Sequence, residues 1–589
     1  MNQINIRNRV RLEPDLGPWT QPSRLSGAVF RAKVTAFQAR RLLVDMTANL
    51  KRLQPGPPPA DYVVLAQSRS ALWIAGDLDD RAHQRGKVEN LRRATRAIGA
   101  GLLPAGQLFS FWRQVGRASR GRGYVNGRML QEGCLVPAIG GGLCQLSNAL
   151  YDAALRAGCE IVERHAHSRI VPGSAAEHGR DATVAWNYVD LRVRSDRPLH
   201  LTAQLTGTEL VVTLRGPAGD APARKAPAQS GNSARPREAE SCATCDAVSC
   251  FRHEERPGRD TASAPRKVWL VDDNWPEFQA YRAANAGPAD IFGPPLDGHR
   301  WRQPRYAWAE APTGQTRSAA LETLARAAAI RRAANGPARR RAELNGAKAI
   351  ARSLGRLLTA DDVEVVVAQS LLPWLWREGR LGGRRFSVLM TRPPMGELQA
   401  RLDRAAVKHP DRASLTDFRA PPELVAAEAE ALSHAHQVVT PHAGVATPFG
   451  DRAVRLDWKT PPPTRRAPAT TRRIAFPGPT AARKGAWEVR EAARALNLEV
   501  VLTGSELEGL DFWTGVSTQR PSGDWLDGVA AVVQPAIVEE RPHRLLAALA
   551  AGVPVVASPA CGLYPQPGLT LVEPGDTEAL IKALRTLIP

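Results

Sequence analysis

Apolar runs and amphipathic stretches alternate along most of the chain, and their periods divide it into three zones. In residues 1–215 the pattern is mixed. Residues 101–113 (GLLPAGQLFSFWR) read as a turn followed by a strand. Residues 140–158 open with three glycines and continue with Leu143, Leu146, Leu150 and Ala153/Ala154 on one face of a helix, which Gly158 ends. A strand begins at Ile161-Val162, residues 183–193 (TVAWNYVDLRV) alternate as another, and residues 201–215 form a hairpin around Thr206-Gly207. A helix followed by several strands makes an α+β domain.

Residues 216–265 are poor in large apolar side chains and rich in Ala, Pro, Ser and Arg, the pattern of a polar linker. From residue 266 the rhythm becomes α/β. Short strands at 268–271, 363–368, 386–390, 473–476, 500–502, 530–533 and 553–557 alternate with helices such as 485–496 and 544–551. That alternation implies parallel sheets covered on both faces. The zone has room for two such lobes, 266–445 and 446–589, with residues 444–473 as a hinge. The fold class is therefore multidomain: α+β, linker, then a double α/β unit.

Composition changes this picture little: 43% hydrophobic and 23% charged residues are ordinary globular usage, which excludes wholesale disorder. A length of 589 residues excludes a single core. Charge adds more. The net charge is +21, and residues 1–215 carry +13 of it. Such a balance suits an anionic partner, whether nucleotide phosphates, an acidic glycan or an anionic membrane surface contacted from its inner face. No nucleic-acid motif accompanies the charge. No apolar run is long enough to span a membrane, and the first residues lack an apolar signal core, so a cytoplasmic protein is expected. Seven cysteines are too few, and odd in number, for a disulfide framework; they point to thiols or a metal site.

The sequence GGGLCQLSNALYDAALRAG puts Cys144 in the first turn of a helix, where unpaired backbone N–H groups and the helix dipole favour a thiolate. Glycines there let a substrate oxyanion approach the backbone. Downstream, His165 and His167 share a face if the strand is regular. Either could serve as the base beside the thiol, with Asp181 orienting it. The alternative is a buried cysteine in a tight turn with histidines as strand-edge hydrogen bonders. Cys134 and Cys159 have no such context and read as packing residues.

The run PAIGGGLCQLSNALYDAALRAGCEIVERHAHSRIVP, followed by GRDATVAWNYVDLRVRS, resembles the VanW family over about residues 90–215. The resemblance places the chain beside vancomycin-resistance and cell-wall modules. It assigns Cys144 the role of nucleophile in peptidoglycan-type acyl transfer, assisted by His165 or His167.

Within the linker, Cys242-x2-Cys245-x4-Cys250-x2-His253 offers four soft ligands, a set suited to structural zinc. Three cysteines with an outside ligand would suit an iron–sulfur cluster, and free thiols are the remaining reading.

In the last zone, IAFPGPTAARKG places Gly478 after a strand and Arg483-Lys484 before a helix, an arrangement that would clamp a diphosphate. Glu539 and Glu540 lie beyond the carboxyl end of the strand at 530–533, where open α/β sheets bind ligands. This order resembles the GT-B glycosyltransferases, retaining nucleotide-sugar enzymes above all, most clearly over residues 420–589. The resemblance implies that Lys484 and Arg483 hold the donor diphosphate and that Glu539 is the first glutamate of an E-x7-E pattern. The second glutamate position falls on Ala547. Losing that hydrogen-bonding group would cost about 1.5–3 kcal/mol of nucleotide binding.

Three functions follow. The first is a glycosyltransferase of hexosyltransferase type, taking a nucleotide-sugar donor in envelope or exopolysaccharide synthesis. The second is a thiol acyl transferase centred on Cys144, and the third a non-catalytic protein that binds glycan or cell-wall precursors. A general base for the first cannot be chosen among His409, His434, His436 and His442.

Overall fold

The computed structural model describes residues 24–48, 50–73, 81–131, 134–167, 179–219, 240–241, 264–309, 315–334, 336–462, 469, 471–509 and 511–588. It divides into two units, residues 1–264 and 265–589. Cys242, Cys245, Cys250 and His253 lie outside the described residues. Among the described residues, no group of three or more His, Cys, Asp or Glu is placed to hold a metal ion.

The first unit is built on a five-stranded antiparallel sheet, ordered Gln54–Pro55, Ala100–Leu103, Leu199–Leu205, Glu209–Pro217, Tyr62–Ala71. The predicted hairpin is its centre, with Leu210 opposite Leu205 and Leu214 opposite Leu201. Helices Arg81–Ile98 and Cys144–Arg156 pack on this sheet. The latter buries Leu146, Leu150, Ala153 and Ala154, the face its sequence period predicts, against Leu72, Leu91 and Val212. Gly158 follows in the left-handed region, at φ 74°.

Two expectations need correction here. Residues 101–113 form two short strands, Ala100–Leu103 and Leu108–Ser110, and then a helical turn, Phe111–Val115, capped by the Ser110 side chain. Residues 183–193 are not one strand. The chain makes a single bridge, Ala185 to Val189, and becomes a strand only at Arg192–Arg194. The reason is side-chain competition. On the helix Cys144–Arg156, Ser147 Oγ donates to Ala182 O (2.5 Å) and Asn148 Oδ1 accepts from Ala182 N (2.7 Å). Partners from that helix therefore hold the residue just before this segment, and Thr183 N–H donates to the His165 carbonyl (2.7 Å).

The second unit contains two parallel sheets, as the α/β rhythm requires. The first lobe has seven strands, ordered Gln315–Thr316, Ile291–Gly293, Arg266–Leu270, Asp362–Ala368, Arg385–Leu389, Gln437–Thr440, Ala453–Arg455. The second has six, ordered Thr518–Gln519, Glu499–Leu502, Arg473–Phe476, Ala531–Gln534, Val555–Ala557, Leu569–Leu571. Ala453–Arg455 falls inside the stretch expected to be a hinge, yet it is the edge strand of the first sheet, parallel to Gln437–Thr440. The crossover between lobes therefore begins after Arg455. Central strands are buried on both faces, and apolar clusters lie on each side of both sheets.

Candidate functional site

In the first unit the three-glycine turn sets up the thiol. Gly140 and Gly142 adopt φ of 80° and 97°, the left-handed region that favours glycine. Gly141 is needed for a different reason: a Cβ there would lie 2.2 Å from the carbonyl oxygen of Gly127. Asn90, buried in the helix Arg81–Ile98, holds the turn, its Nδ2 donating to Gly141 O (2.9 Å) and Val125 O (3.0 Å). Gln145 Nε2 donates to Ala71 O (2.7 Å) and Ser70 Oγ (3.0 Å), tying the start of the helix to the sheet.

Cys144 is the first residue of the helix and half-buried, with Sγ 3.9 Å from Val184 O. Among the described residues, no acceptor meets the backbone N–H groups of Gly142, Leu143 or Cys144. They are the donors an oxyanion would need.

The two histidines, expected on one face, diverge. The strand Glu160–Glu163 ends before them. Exposed His165 turns to Glu163, 3.3 Å away. His167 turns inward, where its Nδ1 donates to Asp181 Oδ1 (2.5 Å) and its backbone N–H to Asp181 Oδ2 (2.5 Å). The Cys144 thiol is near enough to the same imidazole to act on its titration. Burial pulls the His167 pKa down, but the bond to Asp181 and the nearby Cys144 outweigh it and raise it to about 10. Cys144, His167 and Asp181 thus form one constellation: a cysteine sulfur, an imidazole that holds a proton, and a carboxylate that fixes the ring. Such a group supports nucleophilic attack on a carbonyl carbon.

Asp181 is itself fixed, its carbonyl accepting from Arg164 Nε at 2.6 Å. Asn90, Gln145 and Asn148 are the positioning residues that the sequence reasoning passed over. Their one sequence signal is polarity on helix faces that are otherwise buried.

In the second unit the expected phosphate site is at the carboxyl ends of the second sheet. Gly478 follows the strand Arg473–Phe476, and a Cβ there would lie 3.1 Å from Gln534 Nε2. Lys484 Nζ donates to Glu539 Oε2 at 3.0 Å, and Gln534 Nε2 donates to the same oxygen at 2.6 Å. The other carboxylate oxygen accepts from the backbone N–H groups of Glu540 and Arg541, both at 2.9 Å. Burial alone would raise the Glu539 carboxyl; the Lys484 charge and these donors outweigh it and hold the group below the usual range.

Arg483 and Glu540 do not join this group. Arg483 Nε donates to Asp417 Oδ2 (2.7 Å), and its guanidinium lies over the Phe418 ring, so it pins the two lobes instead of presenting a diphosphate clamp. Glu540 turns to Arg392 of the first lobe, 3.3 Å away. Arg544, unremarked in the sequence, begins the helix His543–Ala550 and donates to Pro477 O and Thr503 Oγ1. Ala547 lies one turn further along that helix. Nearby Cys561 is fully buried, and burial, then the Glu539 charge, push its thiol up to about 11.

Facing these residues is a cavity of about 210 Å³ at the carboxyl ends of the first sheet. Its polar wall is ionic. Buried Asp272 pairs with Arg326 (2.7 Å) and accepts from Ser370 Oγ (2.7 Å). Asp273 lies between Arg305 (2.6 Å) and Arg541 of the second lobe (3.2 Å). Burial and then neighbouring Asp272 raise the Asp273 carboxyl. None of the four histidines lines this cavity. His434 stacks on Trp376, His409 packs beside Trp487, His436 meets Arg385, and buried His442 has Nε2 3.2 Å from Ala560 O.

Comparison with known proteins matches each unit separately. Residues 86–215 match the VanW like protein family, and residues 484–589 the family Glycosyl transferases group 1. The uncharacterized protein YoaR of Bacillus subtilis is 35% identical over 130 residues, 22% of this chain and 42% of its own length. The vancomycin B-type resistance protein VanW of Enterococcus faecalis is 36% identical over 138 residues, 23% of this chain and 50% of its own. The chain thus spans half or less of these relatives. Among solved structures, the lipopolysaccharide outer core galactosyltransferase WaaB is similar at 15% identity and a TM-score of 0.31, over 55% of this chain and 90% of its own. A UDP-forming alpha,alpha-trehalose-phosphate synthase from Burkholderia vietnamiensis matches at 12% identity and a TM-score of 0.32, over 55% and 89%. Residues 86–215 are thus similar to the VanW like proteins, and residues 484–589 to the group 1 glycosyl transferases.

Proposed function

We propose that the second unit transfers a glycosyl group from a nucleotide-sugar donor to an acceptor of envelope or exopolysaccharide synthesis. The observation that carries this reading is the buried Lys484–Glu539 pair at the carboxyl end of a parallel sheet, beside Gly478, opposite a cavity in the facing lobe. On this reading the donor diphosphate takes Lys484 from Glu539. The bond from the anomeric carbon to the diphosphate breaks with its electron pair on the diphosphate oxygen, where Lys484 and Arg544 offset the charge. The acceptor hydroxyl, held in the cavity of the first lobe, forms the new bond, and its proton passes to the released diphosphate. Water is kept out by the lobes closing on the donor.

Thermal stability against a panel of nucleotide sugars tests the proposal. A ligand at 100 times its Kd should stabilise the unit by about 2.7 kcal/mol. The shift should be specific to one nucleotide and absent in Lys484→Ala, with Glu539→Gln as a companion that keeps the volume. Both variants are compared first without ligand, so loss of fold is told from loss of binding. No shift with any nucleotide sugar overturns the reading.

A second activity is favoured by the His167 geometry: acyl transfer through a Cys144 thioester on cell-wall precursors. With one proton shared by the pair and held on His167, the Cys144 thiolate attacks the carbonyl carbon; the C–N bond breaks as His167 gives that proton to the leaving amine; an acceptor amine then attacks the thioester, its proton passing to His167 and the C–S electron pair returning to Cys144. Loss of acyl transfer in Cys144→Ser, with nucleotide binding intact, would separate the two functions.

A further inference from the structure

The helix Arg24–Thr47 is docked on the first unit by polar side chains and turns an apolar face outward. On its docked side, Gln38 Nε2 donates to the carbonyl of Trp186 (2.5 Å), Arg41 pairs with Glu163 (2.5 Å), and Asp45 accepts from Arg192 (2.5 Å). Half a turn away run Leu25, Val29, Ala32, Ala36, Leu43 and Met46, at spacings that keep them in one stripe. Leu25 and Met46 are 75% exposed and Leu43 67%. Four of the 17 exposed large hydrophobic side chains among the described residues, Leu25, Val29, Leu43 and Met46, are in this one stripe, where a soluble surface would scatter them; Phe37, Leu42 and Val44 of the same helix lie outside it. Exposed Arg31, Lys33 and Arg40 rim the stripe. The sole carboxylate of the helix, Asp45, is the one turned inward.

We propose that this face lies on an anionic lipid surface, with the helix flat in the headgroup plane. The apolar stripe would enter the acyl boundary, and the rim cations would reach the lipid phosphates. Long Arg and Lys side chains suit that position, because their stems cover apolar surface while the charge stays in water. The one-signed rim also discriminates between occupants. A second copy of this helix would bring Arg31, Lys33 and Arg40 against the same charges with no carboxylate to face them. A nucleic acid would leave the apolar stripe uncovered. Neither this helix nor any other described helix is long and apolar enough to cross a membrane, so contact would be interfacial.

The test is flotation of the full chain with vesicles of phosphatidylcholine alone or mixed with phosphatidylglycerol. The protein should float with the mixed vesicles and not with phosphatidylcholine, and salt should weaken its binding. The double variant Leu43→Glu, Met46→Glu should bind at least about tenfold more weakly, and so should Arg31→Gln, Arg40→Gln, which leaves the apolar stripe intact. Unchanged melting of the variants shows that the fold persists; if the first pair melts early, the rim pair gives the answer. Wild-type protein that stays behind with anionic vesicles overturns the proposal, as does equal binding by the variants. So does a dimer, seen by light scattering, that Leu43→Glu converts to monomer, because the face would then cover a second copy.

Discussion

His165 and His167 are two residues apart and have the same side chain, yet one points to Glu163 and the other to Asp181 and Cys144. The sequence made Cys144 and Asp181 legible, through the glycine turn and the GRD segment, but not which histidine joins them. That choice depends on where the strand stops, at Glu163. The same limit applies to Arg483 and Lys484: a partner 66 positions away, Asp417, holds Arg483 away from the Lys484–Glu539 pair. A thiol beside a protonated imidazole should react at neutral pH, so iodoacetamide is expected to label Cys144 rapidly in the wild type. His167→Gln should slow labelling about tenfold and His165→Gln should leave it unchanged, read by mass spectrometry of the peptide. Stability should carry the same signature. The His167 pKa rises from 6.5 to about 10 on folding, so its contribution is fully present below pH 6.5 and lost as pH rises through about 10. Denaturant unfolding should therefore show stability falling from neutral pH towards pH 10, with a shallower fall in His167→Gln. Equal slopes would remove the imidazolium from the account.

At the scale of elements, periodicity served where one face packs on apolar neighbours and failed where polar groups are inside. The helix Cys144–Arg156 and the hairpin Leu199–Leu205/Glu209–Pro217 follow their patterns. The helix Arg81–Ile98 escaped notice because its buried side includes Gln84, Glu89, Asn90 and Arg92 alongside Val88 and Leu91. The helix Arg24–Thr47 escaped because its larger apolar side chains face outward as well as in. The glycine turn is the element on which the thiol depends, and its tolerance can be tested directly. In Gly141→Ala the new methyl group would meet the Gly127 backbone at 2.2 Å, with no flexible side chain to move aside. We expect a loss of about 2–4 kcal/mol in urea unfolding, together with slower labelling of Cys144. A second prediction concerns the docked side of Arg24–Thr47. Burial would raise the Glu163 carboxyl, but bonds from His165 and Arg41, and the Arg41 and Arg192 charges, lower it to about 2. That stabilisation is present above its ordinary pKa of 4.5 and lost as pH falls towards 2. Arg41→Ala should begin acid unfolding at higher pH than the wild type, followed by circular dichroism.

At the scale of the molecule, the apolar clusters decide how many cooperative units there are. The core around Leu91, Leu146 and Leu210 draws every member from residues 53–214, and the remaining clusters lie beyond residue 267. Within the second unit the lobes are joined differently. One cluster combines Leu398, Leu402 and Leu415 of the first lobe with Ala482, Ile537 and Val538 of the second. The pairs Arg483–Asp417, Arg392–Glu540 and Arg541–Asp273 cross at the same place. Separate cores unfold separately, whereas lobes sharing a core unfold together. Calorimetry of the full chain should therefore resolve two transitions rather than one or three. Gly141→Ala should lower one of them and leave the other in place. A nucleotide-sugar ligand should raise only the transition that Gly141→Ala does not touch, and Lys484→Ala should abolish that rise. If both transitions moved with either perturbation, the account of two separate cooperative units would be overturned.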